Sequence, residues 1–344
     1  MNRILMSENK QATIYDISQA SNVSIATVSR VINNNSKVSE KTKEKVLKVM
    51  KELNYEPNAF ARGLGTGSMK TIGILCADVA DIYLANAVSF LERELRQEGF
   101  DSVLHCTGYD YESKKEGMRL MESRRVDAVI MVGSQYIENT NDKNKYILDT
   151  AKAIPVMLLN GYLKGNNVYC TLSNDYEAFY NATNALLESG CRKVMFLYRE
   201  MSYSRDLKYK GYCNALKDNN LVINDAIIHK STGKMQKIKL NLEETFGENP
   251  TFDAVIACDD ELAIGALKYC TENGIDVPEQ VSIVGCNNSV LSTCCEPELS
   301  SIDNKCELLC INTVTTLMRV FDMTNVSPKT VIDTTFVNRN TTKV

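Results

Sequence analysis

The stretch Thr13–Asn33, T-I-Y-D-I-S-Q-A-S-N-V-S-I-A-T-V-S-R-V-I-N, constrains this chain more than any other. Ile14 and Ile17 give a first short helix one apolar face. Asn22 falls where the chain must reverse sharply, and asparagine tolerates left-handed backbone better than most residues other than glycine. Ser24 is a good N-cap for a second helix, Ile25–Ile32, with Val28, Val31 and Ile32 as its inner side. Two short helices joined by so tight a turn predict a helix-turn-helix unit, whose second helix enters a DNA major groove.

The outer side of that second helix carries short hydroxyls, small apolar groups and one arginine. Ile25, Ala26 and Arg30 are the expected base readers. An arginine forks onto guanine O6 and N7, and small apolar groups touch a thymine methyl. Ser24, Thr27 and Ser29 are expected to hold phosphates. The plainer alternative is a helical hairpin with a polar outer face.

D-I-x-x-x-S-x-V-S-x-x-T-V-S-R-V-I-N resembles the headpiece of the LacI/GalR family of bacterial transcriptional repressors. That family usually has Ala-Gly before the turn valine; here Ser21-Asn22 stands there, a mild departure. A third helix is expected over about Glu40–Asn54, capped by Ser39, with Val46, Val49, Met50 and Leu53 closing a small core. Tyr55-x-Pro57-Asn58, followed by Ala61-Arg62-x-Leu64, matches the family's hinge. The resemblance implies hinge helices that form on operator DNA and enter the minor groove. Leu64 would wedge between base steps with Ala61 beside the groove, and Arg62 would take a phosphate.

Charge is uneven along the chain. Residues 1–70 hold 11 Lys+Arg against 6 Asp+Glu, and the remainder 28 against 37. A basic head on an acidic body suits contact with a polyanion at one end. No apolar run reaches the roughly 18 residues of a membrane helix, and the polar N-terminus does not read as a secretory signal. A cytoplasmic location follows as an expectation, with no membrane partner. The 12 cysteines and two histidines include no C-x-x-C pair. The thiols read as free, small hydrophobes, and neither a metal site nor a cofactor is expected. No Ser-His-Asp or Cys-His set is recognisable, so the chain does not read as an enzyme.

From Lys70 onward buried strands alternate with helices, the signature of βαβ units and parallel sheets. Candidate strands fall at Thr71–Cys76, Asp101–Cys106, Ala128–Val132 and Pro155–Leu159. The pattern restarts with a helix over Tyr176–Glu188, and one late strand is expected over Val331–Val337. The expected domains are a tail (1–12), a headpiece (13–58), a hinge (59–69) and a body (70–344). The body divides into a first lobe, about 70–171 and 302–325, and a second, about 172–301 and 326–344. The fold class is therefore a small all-α headpiece plus a two-lobed α/β body with a cleft between the lobes.

D-D-E-L-A-I-G-A-L at 259 and V-P-E-Q-V-S-I-V-G at 277 extend the resemblance into the body, implying a periplasmic-binding-protein-like effector domain. Carried over residue by residue, the cleft is lined by Asp81, Tyr83, Asn160, Ser204, Lys208, Asp259 and Asn287. The family usually has arginine at the Lys208 position and Phe/Tyr-Asp-Asp after the glycine; here Cys286-Asn287-Asn288 follows Gly285. Lysine does not replace the bidentate fork of arginine, which counts against a typical sugar effector: the expected ligand is a sugar or a different polar metabolite, the alternative being a cleft that has lost ligand control. Asp260 and Glu261 read as a helix start. The resemblance implies a repressor that binds a near-palindromic double-stranded operator as a homodimer. A two-lobed solute-binding or sensing protein is the alternative.

Overall fold

The computed structural model describes residues 12–32, 37–55 and 68–344. The hinge expectations for Ala61, Arg62 and Leu64 lie outside the described residues. Two compact units are distinguished, the helical head and the α/β body.

In the head, α1 (Ile14–Ser21), α2 (Ile25–Ile32) and α3 (Glu40–Glu52) enclose one core. Thr13 caps α1 with a capping box: its hydroxyl accepts from the Asp16 N–H, and the Asp16 carboxylate accepts from the Thr13 N–H at 2.7 Å. Asn22 ends α1 in the left-handed region at φ 48°. The turn is cross-braced by the Ser18 hydroxyl, which donates to the Val23 carbonyl at 2.7 Å. Ser24 Oγ accepts from the Thr27 N–H at 3.2 Å and opens α2. Ile17, Val28, Val31 and Val46 are buried together, with Val49 and Met50 against them. Leu53 departs from expectation: α3 stops at Glu52, and as the C-cap Leu53 is 41% exposed.

The body's first sheet and its helices comprise β1 (Thr71–Cys76), α4 (Ile82–Gln97), β2 (Asp101–Cys106), α5 (Tyr111–Ser123), β3 (Ala128–Val132), α6 (Lys145–Thr150), β4 (Val156–Leu159) and β5 (Val168–Ser173). The second lobe follows with α7 (Asp175–Glu188), β6 (Val194–Tyr198), α8 (Tyr203–Asp218), β7 (Ile228–Lys230), α9 (Met235–Phe246), β8 (Ala254–Ala257), α10 (Asp260–Glu272), β9 (Ser282–Cys286) and β10 (Ser300–Asp303). The chain then returns through α11 (Cys306–Phe321), β11 (Lys329–Ile332) and β12 (Thr335–Val337). The sheet orders are β11-β5-β4-β3-β1-β2 and β12-β10-β9-β8-β6-β7. β10 and β12 pair antiparallel, whereas β6, β8, β9 and β10 form parallel ladders.

The run A-V-I-A of β8 is buried on both faces, as a central parallel strand must be. Ala254 and Ile256 pack with Phe179, Phe196 and Tyr212, and Val255 and Ala257 with Ile238 and Leu262. Fully burying one such large side chain contributes about 1.5–3 kcal/mol.

The expected single strand at Val331–Val337, and with it the placement of 326–344 in the second lobe, needs correction. The segment splits. β11 pairs with β5 in the first sheet, and β12 pairs with β10 in the second. Asp333 marks the break and accepts from the Asn174 side chain at 3.0 Å, so two of the three crossings between lobes are tied together. β5 itself carries no assignment from sequence, because V-Y-C-T-L-S mixes polar and apolar residues. A 3-10 turn, Asp225–Ile227, leads into β7.

Candidate DNA-reading face and interlobe cleft

On α2, Ser24, Ile25, Ala26 and Arg30 are exposed and Thr27 and Ser29 half-buried. The Thr27 hydroxyl lies 2.9 Å from that of Ser24. The Arg30 side chain makes no hydrogen bond or ion pair with another described residue. The helix thus presents small side chains and the Arg30 guanidinium on one side while Val28 and Val31 anchor the other.

Within the body, the strand C-termini of both lobes meet polar side chains. Asp81 caps α4, accepting from the Leu84 N–H at 3.0 Å. Burial pushes its carboxyl above the ordinary range against that hydrogen bond, and the Asp259 carboxylate adds to the rise. Asn160, left-handed at φ 60°, follows β4; its Nδ2 donates to the Tyr83 hydroxyl, and its Oδ1 accepts from the Ser173 N–H at 2.9 Å. The Ser173 hydroxyl donates to Asp175 at 2.8 Å, and the Ser204 hydroxyl donates to the other Asp175 oxygen at 2.5 Å. One hydrogen-bonded chain therefore joins Tyr83 and Asn160 of the first lobe to Ser204 of the second. Asp175, 5% exposed, is its hub.

Lys208 reaches from α8 to donate to the Cys258 carbonyl at 3.0 Å, and its Nζ lies 3.4 Å from Cys286 Sγ. Burial pushes the Cys286 thiol up to about 12, with Lys208 opposing the rise. Asp259 caps α10 and grips Arg199 at 2.7 Å; Arg199 also holds Glu261 at 2.6 Å and the Gly233 carbonyl at 2.7 Å. Lys234, paired with Glu261 at 3.6 Å, donates across to the Ala80 carbonyl of the first lobe at 3.3 Å. Tyr162 and Tyr203 face each other from opposite lobes with centroids 6.1 Å apart. Asn287 accepts from Asn304 at 2.9 Å. Asn287 and Tyr83 line a cavity of about 420 Å³, with Phe90, Val290, Lys305 and Leu308 on its other walls.

Sequence reasoning missed Asp175, Arg199 and Asn304. An arginine directly after the apolar run of β6 was the available signal for Arg199. Asp175 reads as an ordinary first-turn carboxylate, and nothing local marks it as buried.

Asp260, 2% exposed, accepts from the Ser301 hydroxyl at 2.5 Å and the Ser289 N–H at 2.6 Å. Burial outweighs these bonds and raises its carboxyl to about 6. A carboxyl raised on folding stabilises below its unfolded pKa, and that contribution is lost as pH rises through the folded value. Body stability is therefore expected to lose on the order of 3 kcal/mol between about pH 4 and 6 from this group. Asp260→Asn keeps an acceptor for Ser289 and donates to Ser301, so urea melts across that window should show a flatter profile. An unchanged profile would refute the assignment.

A three-helix head with the helix-turn-helix arrangement, followed in sequence by a two-lobed α/β body, defines the class of DNA-binding transcriptional regulators. The family model for bacterial regulatory proteins of the lacI family matches residues 13–58, and that for a periplasmic binding protein-like domain matches 183–342. An HTH-type transcriptional regulator of Lachnoclostridium phytofermentans is 48% identical over 329 residues, 96% of this chain and 99% of the relative. Catabolite control protein A of Staphylococcus epidermidis is 31% identical over 84% of this chain and 86% of its own. The lac repressor dimer bound to operator and the anti-inducer ONPF has the same fold, with TM-score 0.85 at 24% identity over 97% of this chain and 99% of its own. The protein belongs to the lacI family of bacterial regulatory proteins. Among the described residues no helix is long and apolar enough to cross a membrane.

Proposed function

We propose that this regulator is a cytoplasmic repressor that binds a near-palindromic operator as a homodimer and answers to a small effector in the interlobe cleft. The observation that carries the DNA-reading part is the outer side of α2, where Ile25, Ala26 and Arg30 stand exposed on a helix fixed from behind. Ser24, Thr27 and Ser29 flank them as phosphate ligands. The hinge reading of Ala61, Arg62 and Leu64 joins this proposal through the resemblance alone. Two-fold symmetry of the operator then follows from two-fold symmetry of the protein. Exposed Val290 and Leu308, 62% and 45%, rim one cavity and support self-association.

For the effector, Asp81, Tyr83, Asn160, Ser204, Lys208, Asp259 and Asn287 are the proposed contacts. They supply hydroxyl, amide and carboxylate groups suited to a sugar or another polar metabolite. One fold neighbour, the transcriptional regulator CelR, was solved as a cellobiose complex, with TM-score 0.70 at 23% identity. A ligand shifts this protein between states only by its preference for one of them.

Arg30→Ala is expected to weaken operator binding by about 1–3 kcal/mol and to relax preference at one base-pair position. Selection of bound sequences from a random pool, with wild type and variant compared at one salt concentration, measures both. An identical selected sequence for the two proteins would remove the base-reading role. A wild-type protein that retards no genomic fragment would favour the solute-binding alternative.

A further inference from the structure

Cys258 and Cys286 lie 28 positions apart in sequence, and the fold sets them side by side. β8 and β9 run parallel with Ala254 opposite Ser282, Val255 opposite Ile283 and Ile256 opposite Val284. Two positions beyond that register Cys258 comes level with Cys286; both pack against the cluster of Ala254, Ile256 and Val284, and Cys258, just past the end of β8, also touches the cluster on the other face. Lys208 sits over this pair, 3.4 Å from Cys286 Sγ and 3.0 Å from the Cys258 carbonyl. Cys286 is 1% exposed, whereas Cys258 is half-buried and gives the pair an opening.

We propose that Cys258 and Cys286 form a two-coordinate binding site for a soft monovalent d10 cation, Cu(I) or its analogue Ag(I), with Lys208 as the neutralising charge. Adjacent strands lie about 4.8 Å apart. A disulfide needs its Cβ atoms near about 3.8 Å, closer than side-by-side strands place them. Two metal–thiolate bonds of roughly 2.3 Å each, in line, span about 4.6 Å and fit that spacing. Soft thiolates select such cations over hard ones. Among the described residues no group of three or more His, Cys, Asp or Glu side chains is arranged for a metal. That disfavours tetrahedral zinc and leaves linear coordination.

Binding breaks two S–H bonds, forms two S–metal bonds and releases two protons to solvent, with no change of oxidation state. The bis-thiolate complex carries one negative charge, which the Lys208 ammonium offsets in a buried place. The Asp175 carboxylate, held by the Ser173 and Ser204 hydroxyls, also faces Lys208 and shares its charge with the thiolates. A second pair, Cys76 and Cys106 at the ends of β1 and β2, is also adjacent, with the Thr107 N–H on the Cys76 carbonyl at 2.8 Å. That pair faces the Asp78 and Asp81 carboxylates, whereas Cys286, which also faces carboxylates, has the Lys208 ammonium 3.4 Å from its sulfur.

The test uses the full-length reduced protein, one equivalent of Ag(I), and brief alkylation followed by peptide mass spectrometry. The expected result is joint protection of Cys258 and Cys286. Cys286→Ser should remove the protection of Cys258, and Cys258→Ser that of Cys286, with circular dichroism confirming folded protein. Lys208→Met should lower Cu(I) affinity by about 10- to 100-fold in competition with a chromophoric chelator. Protection appearing first at Cys76 and Cys106, at other thiols, or nowhere would overturn the proposal. So would Cu(I) affinity unchanged in both serine variants. The site stands apart from operator reading, since none of these measurements involves DNA.

Discussion

Val28→Asp should abolish sequence-specific DNA binding while leaving the body folded. Val28 is fully buried against Ile17, Val31 and Val46, and among the described residues these four form the buried apolar centre of the head. A unit this small buries little surface and holds few kcal/mol in reserve. Placing a carboxylate there costs several kcal/mol, or else forces it to take up a proton, because the described side chains packed around it are apolar. The head is a separate compact unit from the body, so the damage should stay local. Calorimetry should show the body's transition near its wild-type temperature, and anisotropy titrations should show only weak, salt-sensitive residual binding. Arg30→Ala is the necessary contrast: it weakens binding with the head intact. If Val28→Asp binds operator like wild type, DNA is read elsewhere on the chain.

The head was legible in the sequence because its determinants are local. The apolar spacing, Asn22 at the turn and Ser24 and Ser39 as caps all act within a few residues, and each is found in its expected conformation. In the body, apolar runs announced the central strands, since a strand covered on both faces cannot be polar. The lateral strands were less visible. β5 and β10 are rich in Ser, Thr and Cys, and their polar atoms are satisfied by remote partners: Ser300 by Thr342, Ser301 by Asp260. The cleft was legible only as positions, not as connections. Arg199 and Asp259 are 60 residues apart, and the Tyr83–Asn160–Ser173–Asp175–Ser204 chain crosses two lobes. Sequence spacing carries no trace of such contacts, and the same holds for the thiols of Cys258 and Cys286.

Gly211→Ala is expected to destabilise the body by about 3 kcal/mol, near the upper end of ordinary overpacking. The reason is the neighbour it would meet. A methyl on Gly211 would lie far inside contact distance of the Tyr176 carbonyl oxygen and 2.9 Å from the Tyr180 nitrogen, both main-chain atoms of α7. Helix backbone cannot swing aside, so α7 and α8 must move apart. Gly73→Ala in β1 is the matched comparison, because its added methyl would meet Met121 Sδ at 2.6 Å, the middle of a flexible side chain. Methionine repacks readily, so Gly73→Ala should cost clearly less. For a body of this size each kcal/mol lowers the melting temperature by about 2–4 °C, which makes the two variants separable by calorimetry. The consequence extends to the cleft. α8 carries Ser204 and Lys208, whose bonds to Asp175 and to the Cys258 carbonyl depend on how closely α8 approaches its neighbours. Gly211→Ala should therefore impair binding in the cleft as well as stability, whereas Gly73→Ala should leave the cleft unaltered. Equal losses of stability in the two variants would show that the α7–α8 contact can yield, and that helix spacing does not set the geometry of the second lobe.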